Sequence, residues 1–279
     1  MAIHRQRYWS RSYLGYPPVR DAQPNPTHYA IAALQMTNHV PRLITQNVDG
    51  LHHKAVPPEA RFSVKDRILE LHGTLHAVHC RRKHKIDRTV FQDQLSELNP
   101  SWKEFMDEMT RTGTEPRTNP DGDVDIRGVD FSNFVLPVCE TCLEDGIHDD
   151  ILKPEVIFFG ESIAEEVKQQ SFQDVESSDR VLFIGTTLAT YSAFRLLKHA
   201  TELQKPVMLL NIGPTRADDV PGVGKIEAAS SGVLRGAVRA LVKGRRREKE
   251  LEVVERLLVS GTIKPPPDDN EDRAPRAAG

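Results

Sequence analysis

The sequence predicts an α/β fold, a mostly parallel sheet covered by helices and interrupted by one inserted small module. Three observations carry this reading. Short apolar runs at 42–46, 180–184 and 206–211 alternate with helix-like stretches, the order expected when crossover helices join parallel strands. Those runs stop abruptly at Gln46, Asn47 and Asp49, at Gly185, Thr186 and Thr187, and at Asn211, Ile212 and Gly213, and open α/β sheets bind ligands just beyond the carboxyl ends of their strands. Between 80 and 153 the alternation dissolves into charged and turn-forming residues bounded by cysteines.

Taken in order, 5–16 reads as a short helix or extended lead-in that Pro17-Pro18 ends, because proline lacks the amide proton and restricts the residue before it. A turn follows at 23–26. Thr27 is the expected N-cap of a helix through Met36, with Ile31 and Leu34 at helical spacing and Ala30 and Ala33 allowing close packing. The strand at 42–46 comes next, and Glu70-Leu71-His72-Gly73 forms a polar interruption after Ile68 and Leu69. Inside the insertion, 119–123 is turn-forming. Alternation resumes with a strand at 156–159, a helix at 165–173, a buried strand at 180–184, a helix at 192–204, a strand at 206–211 and a helix at 231–242. The stretch 243–259 is charged but carries Leu251, Val254, Leu257 and Leu258 at helical spacing, and reads as a helical extension. The Pro265-Pro266-Pro267 and acidic end at 261–279 has too little apolar surface to offset its ordering entropy, and disorder is expected there. The resulting division is 1–77 and 154–243 for the two parts of the sheet domain, 78–153 for the module, and 244–279 for a charged, largely disordered tail.

Composition bounds the function classes. With 279 residues, 38% of them hydrophobic and 28% charged, and a net charge of −3, the chain has an ordinary soluble composition with length enough for a full core. Its charge does not point to nucleic acid, and no apolar run approaches the roughly 18 residues of a membrane span. Three cysteines and no signal peptide argue for a reducing compartment rather than a disulfide framework.

Several residues carry candidate chemistry. The amides and carboxylate of Gln46, Asn47 and Asp49 can hydrogen-bond a sugar and a carboxamide, or simply close a turn. His72 is a candidate general base, since imidazole titrates near neutrality, although among eleven histidines a structural role is the ordinary one. Cys139 and Cys142 have the C-x2-C spacing of a zinc knuckle. Their partner pair is incomplete: Cys80 is present, Lys83 stands where the fourth ligand would fall, and His79 and His84 lie close by. A Cys3His site and a degenerate site with weak or no metal both remain open.

The motifs Thr45-Gln-Asn-Val-Asp-Gly-Leu-His52, Glu70-Leu-His-Gly73, the Cys80 and Cys139/Cys142 module, Lys153-Pro-Glu-Val-Ile-Phe-Phe-Gly-Glu161, Gly185-Thr-Thr187 and Asn211-Ile-Gly213 occur in this order. In this the chain resembles the sirtuins, over about 5–242. Arg5-Gln-Arg-Tyr-Trp-Ser-Arg11, Gln23-Pro-Asn-Pro26, Pro120-Asp-Gly-Asp-Val124 and Asn211-Ile-Gly-Pro-Thr-Arg216 look most like the mitochondrial class II branch, the sirtuin-four type.

The resemblance implies an NAD-dependent protein lysine deacylase with a Rossmann-like sheet and a small zinc-ribbon-like module, acting on acylated-lysine proteins or peptides in the mitochondrial matrix. By that resemblance Gln46 and Asn47 contact the nicotinamide ribose, Asp49 the carboxamide, and His72 is the base. Gly185, Thr186 and Asn211 line the dinucleotide site, and Ser231 and Gly232 approach the adenine. Val156, Ile157, Phe158 and Gly160 form the acyl-lysine channel and pair with the substrate as an added strand. Cys80, Cys139 and Cys142 ligate a structural zinc. The acyl-lysine oxygen attacks the anomeric carbon of the nicotinamide ribose, nicotinamide leaves, and a ribose hydroxyl that His72 helps deprotonate attacks the imidate carbon. Hydrolysis then frees the lysine and leaves O-acyl-ADP-ribose; ADP-ribosyl transfer is a further implied activity. Tyr8 and Arg11 have the Tyr-x-x-Arg spacing that holds acidic acyl groups in some class II relatives; packing and surface roles serve them equally well.

One part of the pattern is missing. The sirtuin Gly-Ala-Gly-x-Ser phosphate loop and Asp-Phe-Arg cofactor loop do not occur in the sequence. The expectation is therefore an incomplete, N-terminally truncated Rossmann-like sheet without its pyrophosphate cradle and a central strand, with a catalytically inactive binding module as the alternative to the enzyme.

Overall fold

The structure, a computed structural model, describes residues 2–113, 130–148, 151–243 and 248–261. The turn expected at 119–123 and the tail beyond 261 lie outside these.

Helix α1 (Ala2–Asp21) runs through Pro17 and Pro18, where a stop was expected. Pro17 cannot bond the carbonyl of Tyr13, but Gln92 Nε2 does so at 2.8 Å. The orphaned acceptor is thus satisfied from a neighbouring helix, and the helix continues to Asp21. Helix α2 (Pro26–Met36) is capped by Asn25 rather than Thr27. The Asn25 side chain accepts from the Thr27 and His28 amides, and Pro26 occupies the first helical position, where its fixed φ is preorganised. Thr27 instead meets Ser230 through its hydroxyl at 2.8 Å.

Strand β1 (Leu43–Thr45) leads into the short α3 (Leu51–Ala55) and α4 (Arg61–Val64), and β2 (Ile68–Glu70) returns parallel to β1 with Thr45 opposite Glu70. The chain then enters the module through β3 (Gly73–Cys80), β4 (Lys85–Asp87), α5 (Arg88–Leu98) and α6 (Pro100–Thr112). The two helices were not read from the sequence. Asp87 caps the first through the Thr89 and Val90 amides, and Pro100 opens the second. Helix α7 (Glu140–Glu144) and strand β5 (Leu152–Val156) complete the module, whose antiparallel sheet has the order β4-β3-β5.

The strand expected at 156–159 is therefore displaced to 152–156 and lies in the antiparallel sheet. Pro154 is tolerated there because β5 is an edge strand. Beyond it, Glu161 accepts from the Phe158 amide and hydrogen-bonds Lys153, and Gly160 at φ 90° turns the chain away from further pairing. Trp9, Tyr13 and Leu14 of α1 share the module's core with Val78, Phe91, Leu95, Trp102, Phe134 and Leu152.

The second parallel piece follows as α8 (Glu165–Glu176), β6 (Val181–Ile184), α9 (Tyr191–Glu202), β7 (Val207–Leu210), β8 (Val223–Ile226), which was not expected, and α10 (Ser230–Val242). Its strand order is β6-β7-β8, all parallel. Alternation across a strand sends Leu209 into the core beneath α8 and α9 and Leu210 into the core beneath α2 and α10. Leu43 and Ile44 of β1 divide between the same two cores, so both parallel pieces belong to one helix-covered layer. Their strands share no ladder hydrogen bonds among the described residues.

Helix α11 (Glu248–Val259) occupies part of the segment assigned to a disordered tail. It follows the helical spacing of its apolar residues, burying Val254, Leu257 and Leu258 against α2, whose fully buried Ala30 and Ala33 allow close approach. No helix among the described residues is long and apolar enough to cross a membrane.

Candidate active site

The carboxyl ends of β1 and β6 meet through side chains. Gln46, just past β1, donates from Nε2 to Thr186 Oγ1 at 3.0 Å and accepts from Thr190 Oγ1 at 2.9 Å. The connection from β6 to α9 is thereby tied to the end of β1. It contains a buried Leu188 at φ 56°, a left-handed conformation that costs energy for a branched residue and persists where surroundings over-determine it. Here the Leu188 amide donates to Thr186 Oγ1 and the Thr187 carbonyl accepts from Arg216.

His72 sits where the parallel and antiparallel sheets join. Its carbonyl accepts from the Ile157 amide at 3.0 Å, and Gly73 pairs with Val156. Gly73 is obligatory: φ is +77°, and an added Cβ would lie 1.9 Å from the Glu155 carbonyl oxygen. The imidazole Nδ1 lies 3.2 Å from the Gln46 carbonyl and Nε2 lies 2.8 Å from Ser192 Oγ. A carbonyl only accepts, so the network assigns the proton to Nδ1 and leaves Nε2 as the acceptor. Burial holds the His72 pKa below the usual histidine range, with the Gln46 carbonyl opposing. A ring kept neutral near physiological pH, with its lone pair on Nε2, is suited to taking a proton.

Asn47 is exposed at the same strand end, and its amide donates to Thr45 Oγ1. Asp49 lies further along, where its Oδ1 accepts from the Leu51 amide and its carbonyl accepts from His76 Nε2 at 2.8 Å. Glu70 and His53 approach within 3.9 Å. Burial, with the charges of Asp49 and Glu155, pushes Glu70 up to about 7, and burial pushes His53 down, so each group is driven toward its neutral form. His52 is pushed down to about 4 by burial and the neighbouring His28.

Val156 and Ile157 flank the base. Phe158 lies just outside and stacks edge-on with Tyr8 at 5.5 Å between centroids, and Gly160 follows in the exposed turn. Arg11 is one turn beyond Tyr8 on α1 and half-buried. On the second parallel piece, Gly185 follows β6 and Asn211 follows β7, its Nδ2 donating to the carbonyls of Ile212 and Gly213. Ser231 and Gly232 lie in the first turn of α10, and Gly185, Gly213 and Gly232 all face open space. The carboxyl ends of β6, β7 and β8 point one way because the strands are parallel, which groups these residues along one rim.

Cys80, His84, Cys139 and Cys142 converge at the far end of β3, their ligand atoms all within 4.8 Å of one another. The Cys80 and Cys142 sulfurs are 3.7 Å apart, and His84 Nδ1 is 3.4 Å from Cys142 and 3.6 Å from Cys139. A tetrahedron with Zn–S of about 2.3 Å and Zn–N of about 2.0–2.1 Å has edges of roughly 3.5–3.8 Å, so the donor set fits that ion in type and size. His84, not Lys83, completes the cluster. Lys83 is the exposed left-handed residue of the turn (φ 68°), and this added residue carries the chain round so that His84 faces the thiols. His79 is turned away onto the Cys80 carbonyl.

Ser192 and Thr190 went unread in the sequence. The signal available for them was a run of hydroxyls, Thr186, Thr187, Thr190 and Ser192, between a strand end and a helix start.

The profile of the Sir2 family matches residues 2–192. The chain is 42% identical over 234 residues to the NAD-dependent protein deacylase SIR4 of Batrachochytrium dendrobatidis, covering 82% of this chain and 72% of that protein. It is 39% identical over 217 residues to an NAD-dependent protein deacetylase of Xanthomonas campestris pv. campestris (77% and 66% covered). It is 40% identical over 224 residues to the NAD-dependent protein deacylase SRT2 of Arabidopsis thaliana, of which it spans 56%. Among solved structures, Sir2 with a p53 peptide and NAD+ aligns with a TM-score of 0.55 at 19% identity, over 80% of this chain and 72% of that one; the likeness is one of fold. On the extent of these matches, the chain is a member of the Sir2 family.

Proposed function

We propose that this site serves NAD-dependent removal of an acyl group from protein lysine, with transfer to ADP-ribose and release of nicotinamide. The observation that carries the reading is His72, held at both ring nitrogens where the ends of β1 and β2 meet β5. In this reading Gln46 and Asn47 face the nicotinamide ribose, Asp49 the carboxamide, and Gly185, Thr186, Asn211, Ser231 and Gly232 the rest of the dinucleotide, for which the glycines leave room. Val156, Ile157, Phe158 and Gly160 receive the acyl-lysine segment as a strand beside β5, next to the base. Tyr8 and Arg11 approach the acyl end, with Arg11 able to hold a carboxylate. His72 accepts the ribose-hydroxyl proton at Nε2, while Nδ1 keeps its proton and donates it to the Gln46 carbonyl.

The Cys80, His84, Cys139 and Cys142 set would hold a structural zinc, whose contribution is to fix the turn after β3 to α7. The division into 1–77, 78–153, 154–243 and 244–279 and a mitochondrial address belong to the same proposal. Incubation of the chain with NAD and an acetyl-lysine peptide, followed by mass spectrometry, is expected to yield free lysine and O-acetyl-ADP-ribose. Absence of both products, together with no heat of NAD binding by calorimetry, would leave the inactive peptide-binding module as the better reading. If Arg11→Ala leaves the ratios of succinyl-, glutaryl- and acetyl-peptide turnover unchanged, the acidic-acyl role of Tyr8 and Arg11 is wrong.

A further inference from the structure

Resting on the reading of His72 as the base, we propose that Ser192 is its positioning residue, clamping the imidazole from the start of α9 while the Gln46 carbonyl clamps it from the end of β1. The distances are 2.8 Å to Nε2 and 3.2 Å to Nδ1. A neutral imidazole has two tautomers, and its partners choose between them. The carbonyl can only accept, which fixes hydrogen on Nδ1, and the Ser192 hydroxyl donates to the remaining lone pair.

The connection that leads into α9 just before Ser192 carries Thr186 and Thr190, which grip both ends of the Gln46 amide. Two hydroxyls from this connection and one from the first turn of α9 thus set the ring and the residue whose carbonyl faces it. The loop's buried left-handed Leu188 is what such an over-determined segment tolerates.

Ser192 also serves the ring after a proton arrives. As the ribose hydroxyl approaches, the Ser192 hydroxyl turns its proton off the Nε2 lone pair, the lone pair takes the ribose proton, and the Ser192 oxygen then accepts from Nε2–H. A hydrogen bond to the charged ring is stronger than one to the neutral ring, so Ser192 favours imidazolium relative to imidazole. Burial works the other way. The charged and titratable groups on the surrounding elements include Asp49 after β1, Glu70 on β2, His76 on β3, Lys153 and Glu155 on β5, and Tyr191 and Arg195 flanking Ser192 on α9. Burial lowers the His72 pKa, with the Gln46 carbonyl opposing; among the described residues, the side chain hydrogen-bonded to the ring is Ser192, at 2.8 Å.

The test is the ring itself, followed by nitrogen-15 NMR of the full chain against pH, which needs no turnover. Wild type is expected to show the Nδ1–H tautomer. Ser192→Ala should lower the His72 pKa by about half to one pH unit and admit the Nε2–H tautomer, and Ser192→Thr should restore both. Ser192→Cys, similar in shape with a weaker donor, should fall between, and serves if the alanine variant folds poorly. Identical titration and tautomer in wild type and the Ala or Cys variant would overturn the proposal. With an acetyl-lysine peptide and NAD, Ser192→Ala should lower kcat about tenfold, leave KM for NAD unchanged and move the acid limb of the rate profile to lower pH. A wild-type chain without turnover sinks the deacylase reading, while the ring measurement still decides the role of Ser192.

Discussion

Strand β3 has different chemistry at its two ends. Its first residue, Gly73, follows His72, and its last, Cys80, belongs to the Cys/His cluster. Eight residues at roughly 3.3 Å each put the two about 25 Å apart. The Cys/His end is closed: Cys80, Cys139 and Cys142 are all within 1% of full burial and share the core of Trp9, Phe91 and Trp102. The His72 end is half-open, and its parts are held by hydrogen bonds from three separate segments rather than by apolar packing. A closed donor set suits a structural ion and a half-open one suits a reacting group. The comparison teaches that one strand can present a closed Cys/His donor set at one end and a half-open, hydrogen-bonded histidine at the other without the two touching.

The strongest way to break this comparison is at the closed end. Cys142→Ser should abolish stoichiometric zinc, measured by atomic emission, and unfold the module, because binding energy for structural zinc is on the order of 10 kcal/mol in small domains. Near-ultraviolet dichroism from Trp9 and Trp102 should collapse with it. A wild-type chain purified without metal, and stable in chelator, would sink the closed-site reading.

At the open end the expectation is reversed. His72→Ala should cost about 10²–10⁴ in kcat for an acetyl-lysine peptide, while the melting temperature stays within a few degrees of wild type and zinc content is unchanged. Loss of metal in this variant would mean that the two ends are not independent.

A smaller effect concerns Glu70, between the two sheets. Its folded pKa is raised from 4.5 to about 7, so its contribution is fully present below about pH 4.5 and is lost as pH rises through 7. The unfolded chain ionises first, at a cost to the fold of about 3 kcal/mol by pH 8. Glu70→Gln should therefore stabilise the protein at pH 8 and leave it near wild type at pH 4, as read from urea midpoints. Equal effects at both pH values would show that ionisation of Glu70 is not the cause.

The smallest effect tests the edge of the closed centre. Lys83→Ala should leave zinc content unchanged and shift stability by under about 0.5 kcal/mol, as for an ordinary exposed position, whereas His84→Ala should lower metal affinity. If Lys83→Ala lowers zinc content, the assignment of the fourth ligand to His84 is wrong.

Much of the layer architecture was legible because its signals are local. Apolar runs that stop at Gln46, Gly185 and Asn211, and the helical spacing of Leu251, Val254, Leu257 and Leu258, can be read without knowing what packs against them. The errors fell where a distant partner decides. Pro17 was expected to end a helix, and Gln92, far along the chain, satisfies the carbonyl that it orphans. The strand read at 156–159 moved to 152–156 because pairing with β3 and the Glu161 side chain select the register. Helices α5 and α6 were hidden by charged composition, and their buried faces are defined by distant segments, among them α1, β3, β5 and Phe134.

The sequence by itself determined the α/β class, the strand-end residues, His72 as a candidate base and the three thiols, since each is written in residue type and spacing along a few turns of chain. Only the tertiary structure decided that His84 rather than Lys83 faces the thiols, that Gln46 is gripped by Thr186 and Thr190, and that Ser192 holds the imidazole. These are contacts across as many as 144 residues of chain, and no local periodicity encodes them. They depend on how loops close on one another once the apolar faces of the helices and strands have been buried.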